Sequence, residues 1–237
     1  HLAETVLFRY IVNTVVLSIG VVFMTALLGA VPAWLITRYT VPLRGVLDWA
    51  LILPLALPTY IAAYAYAGFL DYTGPLQQLA RSVLGVTGGS TYLLPIASLP
   101  GLIWVMSFTL YPYVYIVMRT SFAARSPRLL EAARSLGQRS SLFLRVGLPA
   151  GRPALAAGLA LVLMETLNAY GAPFYYGVDT LTTAIFRTWL ALYDILTAMQ
   201  IAVVLLLFVA LVLLLERFSR GRARFSDDAS TGGRYRP

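Results

Sequence analysis

The chain has 237 residues, 59% of them hydrophobic and only 12% charged, with a net charge of +8 and a mean hydropathy of +0.76. Soluble domains carry about 25% charged residues, so this composition excludes an ordinary soluble globule, which could not cover its surface. With no cysteine and a single histidine, His1, at position 1, disulfide frameworks, thiolate metal sites and Cys- or His-centred catalysis drop out as well.

A helix needs about 20 apolar residues to cross the hydrocarbon core, and it satisfies its own backbone groups while doing so. The sequence predicts an all-α, polytopic membrane bundle with five spans near residues 10–37, 47–70, 94–118, 150–172 and 197–216, within a transmembrane domain covering 1–218. The first span carries no charge and is followed by Arg38 and Arg44. The second contains LILPLALPTYIAAYAYAGFL, with Pro54, Pro58 and Gly68, and the third contains Pro112. Proline removes an intrahelical bond and kinks the helix; in membranes such breaks persist where neighbours or a water-filled cavity satisfy the freed groups. Pro54 and Pro58 are therefore candidates for a translocation path, with simple helix packing as the alternative.

Between the third and fourth spans the chain turns polar, and Ser126 to Pro149 reads SPRLLEAARSLGQRSSLFLRVGLP. Ser126 is a suitable N-cap and Pro127 a suitable first helical residue. Leu129, Ala133 and Leu136 then form one apolar stripe, and Gly137 suits the helix end. The spacing predicts a short amphipathic helix over 127–137, too short to cross a bilayer, followed by a second short stretch at Leu142 to Val146. Its small residues, Ala132 and Ala133, suit close approach of a partner, and Glu131 and Arg134 can make charged contacts with it. Resting on lipid headgroups is the competing reading.

From Pro153 to Tyr176 the fourth apolar run is interrupted by one charge, Glu165, with Asn168 and Tyr170 close behind. An intramembrane carboxylate faces a bundle interior or water by default. These three are candidates for a path or gate, or for a structural hydrogen bond between helices. The connection from Gly171 to Asp194 mixes threonines with aromatic residues and reads either as an interfacial aromatic belt or as a gate region. The tail, residues 219–237, ends in a Gly/Ser/Asp-rich linker pattern.

Arginine placement orients the bundle. All eighteen basic residues are arginine. Arg38, Arg44, the run from Arg119 to Arg152 and the tail fall on one side, leaving Arg9, Arg81 and Arg187 on the other. The positive-inside rule makes the first group and the C-terminal tail cytoplasmic. The basic charge is thereby topological, which argues against a nucleic-acid partner. An outside start with five spans leads us to expect a further span upstream of residue 1. A chain without lysine cannot hold a G-x-x-x-x-G-K-[ST] phosphate loop, and no Ser/His/Asp set can be assembled, so no catalytic residue, metal ligand or resident cofactor is assigned and an enzyme is not expected.

Glu131-Ala132-Ala133, then Gly137, then Leu148-Pro149 resembles the EAA loop of binding-protein-dependent, type I ABC transporter permeases. The interval from Gly137 to Leu148 is one residue shorter than that family's pattern. Residues 53–77 and 163–194 are similar to ferric-iron permeases of the same superfamily, whose amino-terminal half this chain resembles. The resemblance implies a type I importer fold in a bacterial inner membrane with a cytoplasmic coupling helix at 127–137. Glu131, Ala132, Ala133, Arg134, Leu136 and Gly137 would dock a cytoplasmic ATPase dimer that carries ATP and Mg. It further implies a periplasmic substrate-binding protein, a second permease half (fused or separate), surrounding lipid, and ferric iron as cargo. Thiamine, polyamines and phosphonates are the alternatives within the family. Outside it stand a secondary transporter and a membrane scaffold subunit.

Overall fold

The structure, a computed structural model, describes residues 2–71, 73–84, 96–124 and 143–221. Among these residues there are helices and turns and no strand: α1 (Leu2–Arg38), α2 (Arg44–Ile52), α3 (Thr59–Leu70), α4 (Pro75–Leu84), α5 (Leu99–Ala123), α6 (Leu148–Asn168), α7 (Gly171–Tyr175), α8 (Leu181–Phe186) and α9 (Ile195–Gly221). Among the described residues, four helices are long and apolar enough to cross a membrane: Val6–Arg38 within α1, then α5, α6, and Ile195–Val212 within α9.

The stretch expected to form a second span is not one helix. It is a bent pair, Arg44–Ala56 and Thr59–Val83, meeting at 101°. The sequence dictates the break. Pro54 opens a 3₁₀ turn over Leu53–Ala56. Leu57 is then forced into extended backbone, φ −99° and ψ 128°, by the ring of the following Pro58, and α3 restarts at Thr59. Past α3, Gln77 of α4 is buried and its amide nitrogen donates to the Leu70 carbonyl at 2.7 Å, satisfying a carbonyl at the α3 end.

Two other helix limits differ from those the sequence predicts. Helix α5 starts at Leu99 because Ser98 caps it, accepting from the Gly101 N–H at 3.2 Å, with Pro100 in the first turn. It then runs unbroken through Pro112 to Ala123. Helix α6 stops at Asn168, and Ala169 is extended at φ −67°, ψ 122°. Continuing the helix would drive the Pro173 ring into the Ala169 carbonyl, so the chain turns into α7 instead.

The core is built by α1, α5 and α6. Helices α1 and α5 run parallel, and α6 runs antiparallel to α5. All three meet at Val114 of α5. A Cβ added at Gly29 of α1 would lie 2.6 Å from Val114 Cβ, and one at Gly158 of α6 would lie 2.9 Å from its Cα. Small residues that let backbones approach are the expected contact between helices in lipid, where apolar burial alone offers little drive. Leu17, Val21, Leu102, Met106, Leu110, Tyr115, Met118 and Phe122 fill the seam. The buried serine and threonine hydroxyls of these three helices are satisfied within their own helix. Thr14, Ser18 and Thr25 donate to carbonyls four residues back at 2.7–2.8 Å, and Ser107, Thr109 and Thr166 do the same.

Candidate functional site

The residues expected to dock an ATPase (Glu131, Ala132, Ala133, Arg134, Leu136 and Gly137) lie outside the described residues. The structure does describe their frame: the chain leaves α5 at Ala123 and is described again from Phe143, where a π-helical turn over Phe143–Gly147 leads into α6.

Near that frame, α2 is tied to α5 by charge. Arg119 Nη2 lies 2.6 Å from Asp48 Oδ2, and the Tyr115 hydroxyl donates to Asp48 Oδ1 at 2.7 Å. The Asp48 side chain is 17% exposed and that of Arg119 35%, so the pair is partly withdrawn from water and less screened than a surface pair. None of the described α2 side chains is buried; this carboxylate is its polar anchor. The pattern of charges along the chain did not single this trio out. One signal was present: Asp48 is the single carboxylate between Glu4 and Asp71. Its partners are 67 and 71 residues away, a separation no local periodicity reports.

Two cavities flank the broken second span and the connection from Gly171 to Asp194. The first, about 420 Å³, is lined by Ala50, Leu53, Pro54, Leu57, Tyr66 and Thr109. Pro54 therefore sits on a cavity wall, whereas Pro58 is exposed at the bend and lines neither space. The second, about 610 Å³, is lined by Tyr170, Phe174, Asp179, Thr183, Phe186 and Arg187 among others. Tyr170 is held there by aromatic neighbours, with ring centroids 5.4 Å from Phe174 and 4.2 Å from Phe186. Glu165 and Asn168 line neither cavity. Glu165 is half-buried and within electrostatic reach of Tyr113 on α5; Asn168 is exposed. Among the described residues, no group of three or more His, Cys, Asp or Glu could hold a metal ion.

The connection from Gly171 to Asp194 is pinned back onto the start of α1. Asn13 donates to the Asp179 carbonyl at 2.9 Å, and the Thr14 hydroxyl accepts from the Leu181 N–H at 2.9 Å. The Thr182 hydroxyl donates to the Leu167 carbonyl at 2.8 Å, while Thr180 and Thr183 form a reciprocal cap for α8. Arg9 and Arg187 both approach the Asp179 carboxylate, at 3.4 and 4.0 Å. These two arginines, assigned by sequence to one side, thus meet at one end of the bundle. Arg38 lies roughly 44 Å along α1 from Arg9.

No protein-family model matches the chain. It is 36% identical over 149 residues to the sulfate transport system permease protein CysT of Salmonella typhimurium, covering 62% of this chain and 50% of that protein. It is 30% identical over 217 residues to a probable sulfate transport system permease protein of Chlorella vulgaris, covering 86% of this chain and 77% of the relative. The chain belongs to the type I ABC transporter permease family. It is also 26% identical over 141 residues to the molybdenum transport system permease protein ModB of Escherichia coli strain K12. Two crystal structures share this permease's fold. One is of a bacterial ABC transporter involved in import of the acidic polysaccharide alginate (TM-score 0.75, 20% identity, 92% of this chain and 80% of that one). The other is of an alginate ABC transporter in complex with an alginate pentasaccharide-bound periplasmic protein (TM-score 0.71, 23% identity, 92% and 78%). The permease spans half of the length of the Salmonella relative it matches.

Proposed function

We propose that this permease is the membrane-spanning part of an ATP-driven importer in a bacterial inner membrane. In this reading residues 1–218 are the transmembrane unit, 219–237 are a cytoplasmic tail or linker, and a second permease half, fused or separate, completes the path. A periplasmic binding protein delivers cargo at the Tyr170–Arg187 end, and a separate ATPase dimer, carrying ATP and Mg, docks on Glu131, Ala132, Ala133, Arg134, Leu136 and Gly137. One observation carries the reading: the Glu-Ala-Ala…Gly pattern falls between α5 and α6 in a chain of this family. A transporter needs a rigid element at that position to convert nucleotide-driven motion of the ATPase into movement of spanning helices.

The cargo we propose is ferric iron, on the likeness of residues 53–77 and 163–194 to ferric-iron permeases. The relatives' names favour a second reading, a tetrahedral oxyanion such as sulfate or molybdate. Proteins of this fold are named for sulfate, molybdenum and alginate, so the scaffold alone does not select a cargo. Uptake by the complete transporter of labelled ferric iron, sulfate and molybdate, each with and without its ATPase, separates the readings. Iron-only, ATPase-dependent uptake is expected. Sulfate uptake with none of iron would replace the cargo, and uptake of any cargo without ATPase would overturn the importer reading. Glu131→Arg is expected to abolish cargo-stimulated ATP hydrolysis.

A further inference from the structure

Trp34, in the last turns of α1, is 6% exposed and sits where the two flanks of residues 125–142 come together. On one side its ring meets Phe122, the last buried residue of α5, edge-on with centroids 5.2 Å apart and planes at 82°. On the other it meets Phe143, the first described residue after the segment, at 5.7 Å and 56°. Gly147, at the end of the π-helical turn, closes the indole's remaining edge: an added Cβ would lie 2.5 Å from Trp34 Cζ3 and 2.8 Å from Cε3. The Arg38 guanidinium lies 5.3 Å from the centre of the Trp34 ring and donates to the Phe122 carbonyl at 3.4 Å. One indole thus touches the exit from α5, the entry to α6, and an arginine of its own helix.

A contact this tight cannot deform smoothly. Interiors are packed near crystal density, and a glycine that leaves no room for one methyl group means that the Phe143–Gly147 turn and the indole shift together or clash. Displacing residues 125–142 pulls on both flanks, and both flanks bear on α1 through the same ring. We propose that Trp34 is a positioning residue for energy coupling: it makes the exit of α5 and the entry of α6 move as one body with α1, so that motion of the docking segment reaches the spanning bundle. This inference rests on the docking reading above and names the residue through which docking acts.

The test uses the complete transporter with its ATPase and binding protein, reading ATP hydrolysis, cargo uptake per ATP, ATPase co-purification and thermal unfolding. The cargo probe is whichever of labelled ferric iron or sulfate the wild type takes up. Trp34→Ala is expected to keep the ATPase bound and hydrolysis within about twofold of wild type, while uptake per ATP falls about tenfold, within the usual range of coupling between sites. Trp34→Phe, which keeps an aromatic ring, is expected to retain most coupling. Gly147→Ala is expected to lower uptake per ATP by driving its methyl group into the indole, and Trp34→Phe placed in the same chain should restore it by making room. That rescue decides the matter even if Trp34→Ala does not fold, because a defect at Gly147 unrelated to the indole would not be relieved. Uptake per ATP unchanged in folded Trp34→Ala, or a Gly147→Ala defect that persists beside Phe at position 34, overturns the proposal. Failure of the docking reading looks different: Glu131→Arg would then leave stimulated hydrolysis intact. That outcome removes the joint along with it.

Discussion

Helices α5 and α9 are both apolar enough to cross a membrane, yet they differ completely in company. The most apolar stretch of α9, Ile195–Val212, has a mean hydropathy of 2.8 but only 6% of it is buried, whereas α5, at 1.5, is 61% buried. The more hydrophobic helix is the one with fewer neighbours. In lipid, a leucine facing acyl chains is as well solvated as one facing a helix, so apolarity marks a span and not its partners. What α5 has, and α9 lacks, is the chemistry of close contact: Val114 seated against Gly29 and Gly158, self-satisfied hydroxyls at Ser107 and Thr109, and Tyr115 and Arg119 reaching Asp48. Several large apolar residues of α9, among them Leu196, Met199, Leu206 and Leu207, are more than half exposed.

The sharpest way to break this comparison is to change one side chain on each side of it. Gly158→Leu drives a side chain into the Val114 backbone and is expected to destabilise the purified full-length protein by about 3 kcal/mol or more. Leu206→Ala on α9 should change stability by less than about 0.5 kcal/mol. Thermal unfolding of both variants in one detergent checks the pair, and equal losses would mean that α9 is as well packed as α5. An intermediate effect is expected at the polar anchor. Asp48→Asn weakens the bond to Arg119 in a pair still partly open to solvent, costing about 1–2 kcal/mol after discounting for that exposure. A double-mutant cycle with Arg119→Gln should return most of that loss as coupling energy; a coupling near zero would leave α2 held by something else.

The smallest effect belongs to Asp194, the exposed residue just before α9. Its carboxylate accepts from the Thr197 hydroxyl at 2.5 Å and the Thr197 N–H at 3.0 Å, and these bonds hold its carboxyl below the usual carboxylate range. Since the folded value lies below the unfolded one, the cap's contribution is present above the ordinary carboxylate range. It is lost as pH falls through the depressed folded value. The unfolding temperature of Asp194→Asn should therefore lie slightly below wild type near neutrality, and the gap should close in acid. A gap that does not vary with pH would show that the ionised carboxylate contributes nothing to the start of α9.

Much of this protein was legible from its residues alone, because the signals concerned are local. Apolar length marks a span wherever the helix later packs. Pro58 acts on the backbone of its own neighbour Leu57, so a break in the second apolar stretch could be expected from adjacent letters. Spacing over a few residues also singles out Glu131 to Gly137, which lie outside the described residues. The helix limits at Leu99 and Asn168 were less legible, since a cap at Ser98 and a proline at Pro173 decide them within an unbroken apolar run. Only the tertiary structure decided what Asp48 holds, why Gly29 and Gly158 carry no side chain, and that Trp34 joins Phe122 to Phe143. Each of those facts depends on atoms far apart along the chain and brought within a few ångströms. Apolar length marks a helix facing lipid and a helix facing its neighbour alike; shape and a few polar groups choose between them.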